Sequence, residues 1–324
     1  MDEFKSKFRR NSNEYQAGEI NIGVDRFGGF NRLRRIFGLL LFIASVLLIL
    51  KLTVESWDEL LAAFEGLSPL KLTLALALAI AGLASGALYN ERLVASIVGY
   101  VPINRVVLHA FSVSQVVRYL PGKIWGILYQ GMQLRDHASM VSVASANLIQ
   151  FSVRNIFSIC LVFCIVLLYL GHGMLALVGL VVSLALMQYL HIYVFSNTSI
   201  SNALNALVPK FEIPTLRPMR SGMFLLCVDW ITHIFIWVVI LPGTDQWLVA
   251  LYISCIYTIA SFVSIVAVFA PAGLGVREAM FVVIGDKAGF GPDMLLAYGL
   301  AMRFVLTVAE FVLIGLFAGA KKLP

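Results

Sequence analysis

The sequence predicts an all-α protein that crosses a membrane several times. Three observations indicate this fold class: 60% of the 324 residues are apolar, only 13% are charged, and the mean hydropathy is +0.89. A soluble domain of this size carries roughly 25% charged residues. Because a spanning helix needs about 20 apolar residues, the length allows about six to eight crossings and leaves no room for a separate soluble catalytic domain.

The N-terminal 35 residues form the only long polar stretch and hold eight of the 24 lysines and arginines. Basic residues beside membrane spans favour the cytoplasmic side. Residues 1–35 are therefore predicted to be a polar cytoplasmic tail, and residues 36–320 a single transmembrane domain. This charge is explained by membrane orientation, so no nucleic-acid partner is expected. The four cysteines lie in apolar runs without metal-ligand spacing, and neither a metal nor a cofactor is expected.

Hydropathy predicts six spans, each a long apolar run. They lie at about Ile36–Leu52, Pro69–Tyr89, Met140–Leu170, Met174–Leu190, Met219–Leu241 and Met294–Phe317. Two further apolar stretches, about 106–133 and 247–288, are interrupted by Pro and Gly. A proline removes a helical N–H and clashes with the preceding turn, so each stretch is predicted to be a re-entrant helical hairpin. The predicted hinge residues are Pro121, Gly122, Pro271, Gly273 and Gly275.

Charge placement favours six spans with two hairpins over eight full crossings. With six spans, every basic loop and both termini fall on the cytoplasmic side. In the eight-span alternative, the added crossing at Pro121 moves Lys210, Arg217 and Arg220 outside until the second added crossing restores the phase. The hairpins then enter from opposite sides, which predicts an inverted repeat. Paired broken helices are typical of a transporter's binding site near the midplane. The alternative is coincidence, because Pro and Gly are common in membrane helices.

Eight charged residues fall within the predicted membrane region. They are Arg118, Lys123, Arg154, Arg277, Arg303, Asp229, Glu278 and Glu310. At roughly 3 kcal/mol each, uncompensated charges would cost about 24 kcal/mol, so they must pair or face a polar cavity. Because five cations face three anions, an anionic ligand is expected to supply the missing charge. The alternative is snorkelling to the interface, which applies most to Arg118 and Lys123.

Two of the arginines have a sequence context that favours ligand binding. Arg154 follows Asn147 and Gln150 at spacings of three and four, which places all three on one helical stripe and predicts a cavity lining. Arg277 opens a helix after the second break, where backbone N–H groups and the helix dipole also favour an anion.

The three acids are predicted to have other roles. Glu278 is expected to be a structural partner of Arg303, and Glu310, seven residues after Arg303, is expected to neutralise it. Asp229 and His233 are four residues apart on one face. They either relay protons or form a hydrogen-bonded pair that locks helix packing.

Around the two breaks, the chain resembles a known membrane family. Residues 118–126 (RYLPGKIWG) and 271–278 (PAGLGVRE), followed by a span with Arg303 and Glu310, are similar to the transmembrane region of lysylphosphatidylglycerol synthases and to related standalone flippase-like proteins. Ala272 departs from the family, which more often has a second Gly there.

The resemblance implies a domain that moves an anionic lipid or lipid-linked sugar between leaflets. The breaks would line the headgroup site, with Lys123 and Arg277 nearest the phosphate. The aminoacyl-transferring domain of the synthases is not in this sequence, so lipid lysylation is not expected. Together with the charge argument, this gives the predicted substrate-binding residues Arg118, Lys123, Trp125, Gln150, Arg154 and Arg277.

Two functions stay open from the sequence. The favoured one is a bacterial inner-membrane translocase for an anionic phospholipid or a polyprenyl-phosphate-linked glycan. The other is a non-transporting accessory subunit that presents lipid to, or anchors, an envelope-biosynthesis enzyme. No nucleotide-binding loop, nucleophile elbow or zinc motif occurs, so catalysis is disfavoured. An intramembrane enzyme would require Asp229, Glu278 or Glu310 to converge on one cavity.

Overall fold

A computed structural model describes seven segments of the chain and five isolated residues. The segments are 67–98, 105–119, 124–135, 137–189, 221–241, 247–266 and 275–318, and the isolated residues are 47, 54, 57, 58 and 61. All of them belong to the unit Phe42–Pro324. Several sequence predictions lie outside the described residues: the tail 1–35, most of the first span, Lys123, and the hinge residues Pro121, Gly122, Pro271 and Gly273.

Within the described segments the chain forms nine helices and no strand, which confirms the all-α prediction. They are α1 (Pro69–Val98), α2 (Arg105–Val117), α3 (Trp125–Leu134), α4 (Met140–Tyr169), α5 (Gly173–Tyr189), α6 (Gly222–Ile240), α7 (Trp247–Val266), α8 (Val276–Lys287) and α9 (Pro292–Ala318). Five of these helices, α1, α4, α6, α7 and α9, are long and apolar enough to cross a membrane. The chain is therefore a multi-span membrane protein.

The predicted span Met174–Leu190 corresponds to the apolar helix α5, whose last residue, Tyr189, adjoins residues that the structure does not describe. The structure differs from the prediction at one other apolar segment. The stretch 247–288 was expected to enter and leave by one face, yet its first helix, α7, has 20 residues. No Gly or Pro occurs between 247 and 266, so nothing interrupts the helix before it reaches about 30 Å, the thickness of a bilayer core.

By contrast, the stretch 106–133 forms two short helices that pack against each other. Helix α2 has 13 residues and α3 has 10. At 1.5 Å per residue they are about 20 Å and 15 Å long, and neither crosses a 30 Å core alone.

Helix α1 is the central element of the described fold, because it packs against α2, α4, α6 and α9. Two apolar clusters form along α1 and α6. One contains Ala75 and Ala79 of α1 with Ile236 and Trp237 of α6. The other contains Tyr89 and Leu93 of α1 with Leu226 and Trp230 of α6. The order of the contacts shows that α1 and α6 run antiparallel. The two clusters are separated by a level around Gly82 and Asp229, where polar residues lie.

Substituting Gly126 by alanine is expected to lower the free energy of unfolding by about 2 kcal/mol, the usual cost of overpacking. A Cβ atom at Gly126 would lie 2.7 Å from the backbone carbonyl oxygen of Ser114. This carbonyl belongs to helix α2 and accepts the backbone N–H of Arg118, so the clash can only be relieved by separating α2 from α3. Unfolding of the variant in mixed micelles measures the effect.

The control for this prediction is Gly315→Ala in α9, where a Cβ atom meets nothing within 4 Å. Its stability is expected to stay unchanged or to rise slightly, because alanine is the better helix former. Equal stability of the two variants would show that α2 and α3 do not approach each other this closely.

Candidate functional site

A cavity of about 400 Å³ lies between the two apolar clusters. Its wall comes from α1, α2, α4, α6, α7 and α9, together with Arg118 after α2 and Arg277 at the start of α8. Five charged side chains line it: Arg118, Arg154, Arg277, Asp229 and Glu310. Charged groups are costly within a membrane domain unless they pair or face a polar space, and this cavity provides that space.

Arg154 and Asp229 form a two-point ion pair across the cavity between α4 and α6. The Nε atom of Arg154 lies 2.9 Å from Oδ2 of Asp229, and its Nη2 donates a hydrogen bond of 3.2 Å to Oδ1. Arg154 is the fifteenth of the 30 residues of α4, so it is far from either end of the span. Even so, 48% of its side chain is exposed. The guanidinium is thus held in place and still accessible to a ligand.

A second ion pair joins Arg118 to Glu310 of α9. Nη2 of Arg118 lies 2.6 Å from Oε1 of Glu310, while Nη1 donates to the side-chain oxygen of Gln115 at 2.7 Å. The two partners differ greatly in exposure, 42% for Arg118 and 1% for Glu310. From the sequence, Glu310 is expected to neutralise Arg303; in the structure the ion-pair partner of Glu310 is Arg118.

Glu278 binds two arginines and the start of its own helix. Its Oε1 accepts a 2.7 Å hydrogen bond from Arg303 and contacts of 3.2 to 3.3 Å from Arg277. Its Oε2 accepts the backbone N–H of Gly275 at 2.9 Å, as the third residue of a capping box does. Gly275 has a φ of +76°, a conformation that glycine adopts without strain. The carboxylate therefore fixes Arg277 at the cavity wall.

Buried amides connect α1, α3 and α4 beside the cavity. Gln130 donates to Asn90 at 2.6 Å, and Asn90 donates to Gln150 at 2.8 Å. Asn147 donates to the oxygen of Gln130 at 2.8 Å. The amide nitrogen of Gln150 donates to the carbonyl of Gly86 at 2.9 Å. Both polar atoms of Gln150 are thus engaged within the protein, although Gln150 also lines the cavity.

Tyr257 of α7 lies between two other polar groups of the wall. The guanidinium carbon of Arg277 is 5.0 Å from the centre of its ring, within cation–π range, and the ring of His233 is 6.0 Å away. The Tyr257 ring packs edge-on against Trp237 and Phe281, which holds it in the apolar cluster. Its hydroxyl has no hydrogen-bond partner within the described structure.

Most, but not all, of the site residues predicted from the sequence line the cavity. Arg118, Gln150, Arg154, Arg277, Asp229, His233 and Glu310 line it. Trp125 begins α3, is half-buried and does not line the cavity. Within the described segments, Asp229 bonds to Arg154, and Nε2 of His233 has no hydrogen-bond partner. Asp229 and His233 thus share a wall without forming the bonded pair that was one of the two expectations.

Sequence reasoning missed several polar residues around the cavity. Tyr257 and Gln115 belong to the wall, and Asn90 and Gln130 belong to the amide network. A signal existed for the amides, because Asn and Gln within long apolar helices need internal partners. Tyr257 gives no such signal, since a tyrosine within an apolar helix is ordinary.

The arginine side chains of the cavity wall can bind an anion. Guanidinium groups bind phosphate or carboxylate oxygens with charge-assisted hydrogen bonds. Among the described residues, no group of three or more His, Cys, Asp or Glu side chains could hold a metal ion. With three arginines and two carboxylates on its wall, the cavity is suited to an anion.

The fold and the cavity define a helical multi-span membrane protein with a charged internal cavity. No protein-family model matches the sequence, and no curated protein matches it.

Proposed function

We propose that this protein binds an anionic membrane lipid in the arginine-lined cavity and moves it between leaflets. The observation that carries the proposal is the unequal number of charges at the cavity. Four guanidinium groups share three carboxylates, because Arg277 and Arg303 both contact Glu278 while Arg118 and Arg154 each have an acid of their own. An anionic headgroup would neutralise the difference. Arg118, Arg154 and Arg277 are the proposed phosphate ligands in the described part of the chain, and Lys123, which lies outside it, stays a predicted fourth.

The position of the cavity supports a lipid over a water-soluble anion. Arg154 is central in α4, and one face of the same helix carries exposed apolar side chains at spacings of three to five residues. These are Leu148, Phe151, Ile156, Ile159 and Phe163. Phe151 belongs both to this exposed face and to the cavity wall. A lipid would place its headgroup at Arg154 and its chains along this apolar face, because the two faces adjoin on one helix.

The described residues that flank the two predicted breaks both reach this cavity. Arg118 precedes the first break and Arg277 follows the second, and both line the cavity. We propose that α2 and α3 form a re-entrant hairpin, since neither helix spans a bilayer alone. The inverted repeat, with rocking of its halves to change the leaflet that the site faces, is part of the same proposal. So is a bacterial inner-membrane location with both termini cytoplasmic, which rests on the basic loops.

Arg277→Gln tests the proposal with little structural damage, because Glu278 keeps its hydrogen bond with Arg303. After purification in mild detergent, we expect the variant to carry less anionic lipid than the wild type, by a factor of about ten or more. Native mass spectrometry measures the bound lipid. In proteoliposomes, transfer of fluorescent phosphatidylglycerol between leaflets is expected to slow in parallel. The control is Lys287→Gln, which removes a positive charge from the exposed end of the same helix.

The two measurements separate the competing functions. Equal, unselective lipid in the wild type and both variants would contradict a lipid site at the cavity. Selective lipid retention without any acceleration of transfer would contradict translocation and favour the accessory subunit that presents lipid.

A further inference from the structure

His233 of helix α6 is the only histidine on the cavity wall within the described residues. Its Nε2 atom is buried and has no hydrogen-bond partner in this part of the chain. A histidine that locks helix packing has its ring nitrogens hydrogen-bonded, because buried polar atoms are rarely left unpaired. The imidazole of His233 is therefore available for a proton, and histidine is the side chain whose ordinary pKa lies closest to neutral pH.

The carboxylates around His233 are each held by an arginine. Asp229 lies one turn before His233 on α6 and is bound at two points by Arg154 of α4. On α9, Glu310 is bound by Arg118. Each pair is neutral as a unit, so neither carboxylate offers an unshared negative charge to a protonated imidazole.

The other helices around α6 add no charge at this level. Helix α5 contains no charged residue, and the cavity residues of α1 are Ala79, Gly82 and Leu83. Helix α7 contributes Tyr257, whose ring centre is 6.0 Å from that of His233.

The surplus positive charge of the cavity lies close to His233. Arg277 shares the carboxylate of Glu278 with Arg303, so the charge of Arg277 is only partly compensated. Its guanidinium carbon lies 5.0 Å from the centre of the Tyr257 ring. Arg277 and His233 thus pack against the same tyrosine.

This placement couples the charge of His233 to the binding of an anion. Before an anion binds, a proton on His233 is repelled by Arg277, and Lys123, the predicted ligand outside the described residues, would repel it too. A bound anion neutralises these cations and attracts the proton directly. Linkage requires that the proton strengthens anion binding by the same factor by which the anion strengthens proton binding.

Building on the proposed function, we infer that His233 is a proton-binding site coupled to this cavity. It takes up one proton from water when an anion binds and returns it when the anion leaves. The coupling-ion sites of transporters lie beside the substrate site in the same way. Proton and anion then occupy the cavity together and cross the membrane in the same direction, so a proton gradient drives the anion away from the more acidic side.

The affinity for a fluorescent phosphatidylglycerol tracer at two pH values tests this coupling on the full chain in mild detergent. The tracer keeps its single charge throughout, because a phosphodiester has no second proton to lose. We expect the wild type to bind the tracer about tenfold more tightly at about pH 5.5 than at about pH 8.5, a typical strength of coupling between two ligands.

Two variants assign the proton to His233. His233→Gln removes the imidazole and is expected to bind the tracer equally at the two pH values. His233→Phe keeps an aromatic ring against Tyr257 and carries the same expectation. The control is His172→Gln, which removes an exposed histidine from the turn between α4 and α5 and is expected to keep the pH difference of the wild type.

Proton uptake measures the same coupling without any substitution. Phosphatidylglycerol is added to the wild type in weakly buffered micelles at about pH 7, and an indicator dye is expected to report uptake of up to about one proton per bound lipid. Both His233 variants are expected to show none.

Proteoliposomes with a pH gradient test the direction of movement. In the wild type, transfer of fluorescent phosphatidylglycerol away from the acidic side is expected to be faster than transfer towards it, and the two rates are expected to be equal in His233→Gln. Equal rates in the wild type would overturn the coupled movement.

The outcomes separate this inference from the proposed function. Tracer binding that neutral phosphatidylcholine displaces as well as phosphatidylglycerol does would overturn both. Selective anionic binding that is equal at the two pH values in the wild type, without proton uptake, overturns the coupling and leaves the lipid site. A pH dependence that persists in both His233 variants overturns the assignment of the proton to this residue.

Discussion

Glu278→Gln is expected to lower the free energy of unfolding by about 4 kcal/mol, because breaking a buried ion pair typically costs 3–5 kcal/mol. The wild-type carboxylate is 8% exposed and contacts both Arg277 and Arg303, which are themselves mostly buried. The substitution leaves two buried guanidinium groups without their anion. Glutamine still fits the capping position, so the loss reports the charge and not the helix start. Unfolding in mixed micelles measures it.

Two further variants make this result interpretable. Glu278→Ala also removes the acceptor of the Gly275 N–H and is expected to lose about 1 kcal/mol more, the usual value of a cap. Lys287→Gln, on the same helix but exposed, is expected to change stability by no more than about 0.5 kcal/mol. If Glu278→Gln is as stable as Lys287→Gln, the stability of the fold does not depend on neutralisation of the two arginines by this carboxylate.

The Arg118–Glu310 pair is expected to respond asymmetrically to substitution. Arg118→Gln leaves Glu310, which is 1% exposed, without its counter-charge, and about 3 kcal/mol of stability is expected to be lost. Glu310→Gln leaves a half-exposed arginine facing a polar cavity and is expected to cost only about 1 kcal/mol. The double variant should cost much less than the sum of the two, since its two amides can hydrogen-bond to each other.

A double-mutant cycle in mixed micelles gives the coupling energy directly. Equal costs for the two single variants would contradict the difference in burial. Additive costs in the double variant would show that the two side chains do not interact.

The sequence predicts the fold class well and the length of individual helices less well. An apolar fraction of 60% is typical of a bundle of membrane-spanning helices and excludes most other fold classes. Helices α1, α4, α6 and α9 correspond to predicted spans. Helix α7 was expected to be half of a hairpin because the break at 271–275 was assigned to the whole stretch. Its length is set by the uninterrupted apolar run 247–266 that precedes the break.

For the site, the sequence indicates which residues must be paired but not with which partner. Membrane energetics identify the charged residues, and seven of the eight selected charges lie in the described part of the chain. Pairing Glu310 with Arg303 relied on their spacing along α9. The ion pair with Arg118 joins residues 192 positions apart and depends on how α2 meets α9. Helical periodicity cannot predict the contact between α2 and α9, because that contact depends on tertiary packing.

One contact at the level of the cavity has a mechanical consequence. Gly82 of α1 passes so close to α6 that a Cβ atom there would lie 2.6 Å from Oγ1 of Thr232. Because α1 presents no side chain to α6 at that position, a rigid-body tilt of α1 against α6 would pivot at this close contact. The end of α1 at Val98 lies 16 residues beyond it, a lever arm of about 24 Å. A tilt of roughly 10° at the crossing therefore displaces that end by about 4 Å, an amplification that requires no unfolding of either helix.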